Sequence, residues 1–272
     1  LLCQRTLSWA HRRSSVADDV DARVERALWD LFWLPPWASA VDRPELLYTR
    51  ADRDGPSLHD VLRVRADGSA LDALVAEVDE AHRGRFSRWL LARDSQRPGL
   101  PARLLAHGWR AGHLHHLRTL DASTATAEPA RVRRVTRREE LLDLLDVTDA
   151  AFGRAATARD GVDGELAACA PEDARVQRYV AYDAAGAPIA AGGLNLFPAL
   201  GVAFLWGGGT TPAGRGQGAY RALVAARVRR AAERGCPLVA LYAREGTSDP
   251  IVARLGFQRH GTLETWERGA AG

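Results

Sequence analysis

In the first half of the chain, Val24, Ala27, Leu28, Leu31 and Phe32 recur at the spacing of one helix face and stop at Pro35-Pro36, where a proline ends a helix. Apolar runs at residues 45–49 and 58–64 read as strands. Leu71, Leu74, Val75 and Val78 predict a helix over 71–81. A strand at 86–92, a helix at 100–106 closed by Gly108 and a strand at 114–120 follow.

A stretch of small and polar residues, 121–130, reads as a linker. Beyond it, a strand at 130–135 leads into a helix opened at Thr136, with Glu139 three residues on as its capping-box partner. Strands at 178–183 and 188–196 flank a turn at 184–187. A strand at 202–206, a glycine-rich loop and a long helix at 219–234 come next. A strand at 238–243, a short helix at 250–254 and a last strand at 263–267 complete the pattern, while 152–171 reads as a loop. Residues 86–109 and 238–257 echo each other as strand, arginine, proline-bearing loop, helix and Gly-aromatic, as Gly108-Trp109 and Gly256-Phe257. One duplicated supersecondary unit and two unrelated α/β units both fit this echo.

The 272 residues suit one large domain or two modest ones. With 46% hydrophobic and 26% charged residues, the composition excludes a fully disordered chain, and no apolar run is long enough for a membrane helix. The basic residues are all arginine, a bias that fits base composition rather than function. A net charge of +3, from 37 basic against 34 acidic residues, argues against a general nucleic-acid polycation, so any anion site is local. Cys3, Cys169 and Cys236 form no paired framework, which leads to the expectation of a reducing cytoplasm. The start of the sequence lacks both a secretory layout and an initiator Met, so trimming at the N-terminus is expected.

The most informative segment is Arg215-Gly216-Gln217-Gly218-Ala219-Tyr220, between a strand and an uninterrupted helix. Successive N–H groups without side chains in the way form a concavity for phosphate oxygens, and the helix adds the positive end of its dipole. Arg215 supplies a charge-assisted bond to the same anion. The loop lacks the Gly-Lys-Ser/Thr of a Walker loop, and only Gly216 and Gly218 match the dinucleotide fingerprint. A glycine loop before a helix is also often only a turn.

Here the sequence resembles the GNAT family of N-acetyltransferases. Residues 215–220 resemble its acyl-CoA loop, Arg/Gln-x-x-Gly-x-Gly/Ala, with Pro212 three residues before the arginine, and Ser248 to Phe257 resembles its last helix, which ends in Leu-Gly-Phe. The two motifs stand in matching order across roughly residues 130–272. Tyr220 departs from the pattern, taking the place of a small residue. The resemblance implies an α/β chain of α+β layout with mixed sheets in two domains, a degenerate GNAT-like domain over 1–125 and an acyl-CoA-binding domain over 130–272. In this it resembles the actinobacterial type of tandem form. It further implies that the strands at 202–206 and 238–243 splay apart around pantetheine, whose amides pair near Gly209, Thr210 and Thr211. The run Gly207-Gly208-Gly209 fits a bulge or a close backbone approach.

By the same resemblance, a glutamate on the fourth strand and a tyrosine in the last helix would serve catalysis. Residues 202–206 hold no carboxylate, and Val252 occupies the tyrosine position. Tyr242 as acid and Glu245 as base are the substitutes nearest the thioester; a core tyrosine and a solvated glutamate are the plainer readings. The expected donor is acetyl-CoA and the acceptor a primary amine, drawn in by Glu165, Glu172 and Asp173. No metal, nucleic acid or membrane is expected. His107, His113, His115 and His116 have no cysteine or carboxylate close enough in sequence for a zinc site. Trp29, Phe32, Trp33 and Trp37 read as core, with a substrate wall or a homodimer face as alternatives. A non-catalytic acyl-CoA binder and an interaction module that has lost its ligand remain the rival functions.

Overall fold

The computed structural model describes residues 19–30, 34–35, 37–53, 58–124, 131–154 and 156–269. Cys3 and the N-terminal segment, Phe32 and Trp33 of the aromatic group, and residues 125–130 of the linker lie outside them. The first half contains α1 (Val20–Trp29), β1 (Ala38–Arg43), β2 (Leu46–Ala51), β3 (Asp60–Val64), α2 (Ala70–Ala81), β4 (Ser87–Leu91), α3 (Leu100–Ala106) and β5 (Arg110–Asp121). The second contains β6 (Val132–Arg134), α4 (Arg138–Phe152), α5 (Val162–Cys169), β7 (Val176–Tyr182), β8 (Pro188–Phe197), β9 (Val202–Thr210), α6 (Ala219–Glu233), β10 (Leu238–Arg244), α7 (Ser248–Arg254) and β11 (Gln258–Arg268).

Two local readings are corrected and one unpredicted strand is added. Helix α4 begins at Arg138, so Glu140 rather than Glu139 reaches back. Its Oε2 accepts the N–H groups of Thr136 (2.9 Å) and Arg137 (3.2 Å). The expected loop after α4 holds α5, whose apolar residues Val162, Leu166 and Cys169 form a stripe too thin, and too diluted by Gly164, to read as a helix. Strand β1, Ala-Ser-Ala-Val-Asp-Arg, has a single β-branched aliphatic residue and depends on its antiparallel pairing with β2.

The eleven strands of the described residues form one mixed sheet in the order β1-β2-β3-β4-β11-β5-β10-β9-β8-β7-β6. The echo seen in the sequence becomes a reciprocal exchange. Strand β11, last in the chain, lies between β4 and β5, and β5 of the first half pairs with β10 of the second. Strand alternation separates two faces. Leu205, Val239, Leu241, Ala243, Trp89 and Trp266 face α2, α3, α6 and α7. Phe204, Tyr242 and Leu117 face α1, and Val176, Val180 and Ala191 face α4 and α5.

The second face is a trough bridged between its sides. Arg53 pairs with Asp160 and stacks 4.6 Å over Trp37, and a Cβ on Gly161 would meet the Trp37 ring at 2.8 Å. At the end of α1, Asp30 pairs with Arg175 at 2.6 Å. Trp29 lies beneath Arg65, 4.6 Å from its ring centre.

Because β11 is interleaved, Trp266 from the C-terminal strand packs among Trp89, Leu71 and Val75 of the first half. Trp266→Ala is expected to cost about 3–5 kcal/mol, the range for a large-to-small aromatic change in a core. Urea unfolding followed by far-UV circular dichroism and fluorescence is expected to show one coincident transition, with the midpoint lowered for both probes.

Candidate functional site

Strands β9 and β10 run parallel and pair only where Val202, Ala203 and Phe204 oppose Leu238, Val239 and Ala240. Beyond Phe204 they separate, while β9 stays paired to β8 and β10 to β5. The result is a V whose inner edge on β9, residues 205–210, has no strand partner.

A bulge accompanies the opening. Between the pairs Gly193–Trp206 and Ala191–Gly209, strand β8 has one residue, Gly192, and β9 has two, Gly207 and Gly208. Gly207 adopts φ +57°, a left-handed conformation that a side chain disfavours. The bulge rests on Arg227 of α6. Its side chain is 1% exposed, Nη1 donates to the Gly193 carbonyl (2.9 Å) and Nε to that of Leu223 (3.1 Å). A Cβ on Gly192 would lie 2.8 Å from Nη1, and one on Gly208 would lie 3.0 Å from the Tyr220 ring. Burial lowers the Arg227 pKa to about 10, so the group remains charged near neutrality. Tyr220 is therefore packed beneath the sheet, against the glycines of the bulge.

At the open end of β9, Thr211 Oγ1 accepts the N–H of Gly214 (3.1 Å) and closes a turn ahead of Arg215. Gly216 and Gly218 take φ +79° and +76°, and a Cβ at either would meet nothing within 4 Å. Gly218 caps α6 without a side-chain bond, and the N–H groups of residues 216–221 find no backbone acceptor among the described residues. Arg215 is exposed beside them. A groove of about 230 Å³ flanks the loop, lined by Arg131, Tyr182, Ile189, Gln217, Gly218 and Ala222. The loop residues and Gly209, Thr210 and Thr211 thus lie at one continuous lip of the V.

Tyr242 and Glu245 do not meet. Tyr242 faces the trough, 6.0 Å from Phe204 between ring centres, and burial raises its pKa strongly. Glu245, with a side chain 59% exposed, bonds on the opposite face to His116 Nε2 (3.0 Å). Of the three carboxylates expected to draw an amine, Glu165 pairs with Arg178 and Glu172 with Arg134 and Arg230, while Asp173 is exposed. Val252 is fully buried beneath α7.

One carboxylate escaped sequence reasoning because it belongs to the other half. Glu25 of α1 is 2% exposed, its Oε1 accepts the N–H of Asp94 (2.8 Å), and burial pushes its pKa up to about 7. Glu25 and Asp21 are the two charges felt by the Tyr242 phenol. The sequence signal was a lone glutamate amid the apolar stripe of α1.

No group of three His, Cys, Asp or Glu residues among the described ones is placed to hold a metal, and no helix is long and apolar enough to cross a membrane.

No sequence-family model matches the chain, and no curated protein sequence does. Solved structures match in fold. A GCN5-related N-acetyltransferase from Kribbella flavida is similar at 20% identity and TM-score 0.61, over 86% of this chain and 90% of its own. A GCN5-related N-acetyltransferase from Sphaerobacter thermophilus matches at 16% identity and TM-score 0.57, over 85% and 75%. A tandem GNAT protein from the clavulanic acid biosynthesis pathway matches at 18% identity and TM-score 0.54, over 94% and 98%. The fold is that of the GCN5-related N-acetyltransferases, a mixed α/β sheet shared over nearly the full length with a tandem member.

The raised Glu25 carboxyl has a measurable consequence. The folded state keeps its proton up to about pH 7, while the unfolded chain releases it near 4.5. Stability from this group is therefore complete below pH 4.5 and is lost as pH rises through 7. Glu25→Gln keeps the carbonyl acceptor for Asp94 and has no proton to lose. Its unfolding free energy, followed by urea titration from pH 5 to 8, is expected to gain about 2–3 kcal/mol on the wild type.

Proposed function

We propose that the protein transfers the acetyl group of acetyl-CoA to a primary amine by direct attack in a ternary complex. The observation that carries this reading is the V between β9 and β10 opening beside the 215–221 loop. A parallel pair that separates after three residues leaves backbone groups for pantetheine amides. The unpaired N–H groups at the start of α6, with Arg215, suit the pyrophosphate. Bound this way, the thioester lies in the V near Phe204 and Tyr242, and the amine arrives from the trough.

The chemistry asks for a deprotonated amine and a stabilised leaving thiolate. Tyr242, held neutral by its buried site, is assigned as the hydrogen-bond donor to the departing sulfur. Glu25, with a proton affinity near neutrality, is assigned to take the amine proton, directly or through water. Because a thiolate is a good leaving group, proximity and orientation supply much of the rate.

Two experiments test this. At about 100 times its dissociation constant, acetyl-CoA adds about 2.7 kcal/mol and raises the melting temperature by several degrees. Arg215→Glu is expected to abolish the rise; no rise in either protein at saturating ligand would reject the cofactor assignment. In an amine-dependent CoA-release assay, Tyr242→Phe is expected to lower kcat at least tenfold with acetyl-CoA affinity unchanged, and an undiminished kcat would remove Tyr242 from the mechanism. Saturable acetyl-CoA binding without CoA release for any amine would identify a binder rather than an enzyme.

A further inference from the structure

The trough is polarised along its length. At the α1 end stand Asp21 and Glu25, facing Tyr242. The mouth carries the opposite charge. On the β9 side, Gly209 abuts the Phe152 ring, with a Cβ placed there 3.2 Å away, and the Arg154 guanidinium lies 5.0 Å over that ring. On the β10 side, Arg244 lies two residues beyond Tyr242 on the same face and pairs across the ladder with His115, whose ring is 6.5 Å from that of His113.

Neither Arg154 nor Arg244 forms an ion pair among the described residues. The carboxylates nearby have partners: Asp60 holds Arg88 through two bonds of 2.9 and 2.7 Å, Asp149 accepts from the Thr157 N–H and hydroxyl at 2.8 and 2.6 Å and lies 3.8 Å from Arg159, and Glu267, opposite Arg88 in the ladder, accepts from the Thr265 hydroxyl at 3.4 Å. The local field is positive enough to tell on its neighbours. Burial, with His113, Arg244 and Arg88, holds His115 down to about 4, and burial with Arg88 lowers the Arg154 guanidinium against the opposing pull of Asp149. Arg215 and the α6 N-terminus belong to the other face of the sheet, so phosphate binding there leaves this pair of arginines unused.

We propose that the acceptor is an amine that also carries a carboxylate, with the carboxylate held between Arg154 and Arg244 at the mouth of the trough and the amine directed inward to Tyr242. This rests on the acetyl-transfer reading and narrows its substrate class. A guanidinium matches a carboxylate by a two-bond fork, and the acidic α1 end favours the ammonium of the same molecule before it loses its proton. A simple alkylamine would leave both arginines unpaired.

The test uses the full chain and matched pairs of amines: α- and ω-amino acids from glycine to 6-aminohexanoate, each against its own carboxamide. CoA release is expected to show kcat/KM at least tenfold higher for the acid than for the amide in the best pair. Arg154→Ala combined with Arg244→Ala is expected to raise KM for that acid at least tenfold, with a much smaller change for its amide and acetyl-CoA affinity within twofold. Equal kcat/KM for acid and amide would overturn the proposal while leaving acetyl transfer intact. A double variant that loses acetyl-CoA binding would overturn it by assigning the arginines to the cofactor. No thermal response to acetyl-CoA, or no CoA release with any amine, would reject the acetyl-transfer reading, and this inference with it.

Discussion

A guanidinium sealed under the sheet with no carboxylate beside it is the contact on which the arrangement of the second half turns. Desolvating an ion costs several kcal/mol even after relaxation, and Arg227 recovers that cost through backbone carbonyls, of Gly193 on β8 and Leu223 on its own helix. The space exists because Gly192 and Gly208 have no Cβ above it. Those glycines lie where β9 takes an extra residue, and the bend and added twist of a bulge accompany the separation of β9 from β10 beyond Phe204. Helix α6 is anchored by the same arginine, which fixes its free N-terminus, and so the 215–218 loop, at the lip of the V.

The interleaving of β5 and β11 imposes a second constraint, on the chain as a whole. Each half ends in a strand that completes the other half's part of the sheet, so the core around Trp89 includes Trp266, and Leu117 of the first half packs with Phe204 of the second. The first half keeps the strand-helix-strand frame without an arginine-glycine loop. Its contribution to the site is different: α1 laid across the trough, bringing Glu25 to the environment of Tyr242, and the Trp37–Arg53 corner that meets Gly161 and Asp160.

How much of this was legible follows from the range of the forces involved. Helices α2, α3 and α6 and strands β4, β8 and β10 stand close to their expected places because their apolar spacing is local and strong. The form of the 215–220 loop was legible for a related reason: glycines that need positive φ, a preceding turn and a helix start are all written within ten residues. The strand exchange was not, since no local pattern distinguishes pairing with one's own half from pairing with the other. Tyr242 was placed on the right strand, but its separation from Glu245 depends on which face each side chain takes at the end of β10. Glu25 was hidden by sequence distance, more than two hundred residues from the strand that carries Tyr242. Its raised pKa comes from burial that only the folded trough creates.

The same reasoning explains how a site can lack the strand-four glutamate and last-helix tyrosine that the family resemblance led us to expect. The position of Val252 is consumed by the core under α7, where it packs with Phe257, and a phenol there would be an unpaired hydroxyl in an apolar cluster. Strand β9 offers no carboxylate to the trough: Val202 and Phe204 are apolar, and Trp206 turns toward β8, where its Nε1–H donates to Asn195 Oδ1 (2.8 Å) and Arg178 stacks on its ring. Polar chemistry therefore has to enter from the surfaces that close over these strands. Helix α1 supplies carboxylates from one end, and Arg154 and Arg244 supply cations at the other. A molecule lying along the trough meets opposite charges at its two ends, a demand that neither half of the chain could make alone.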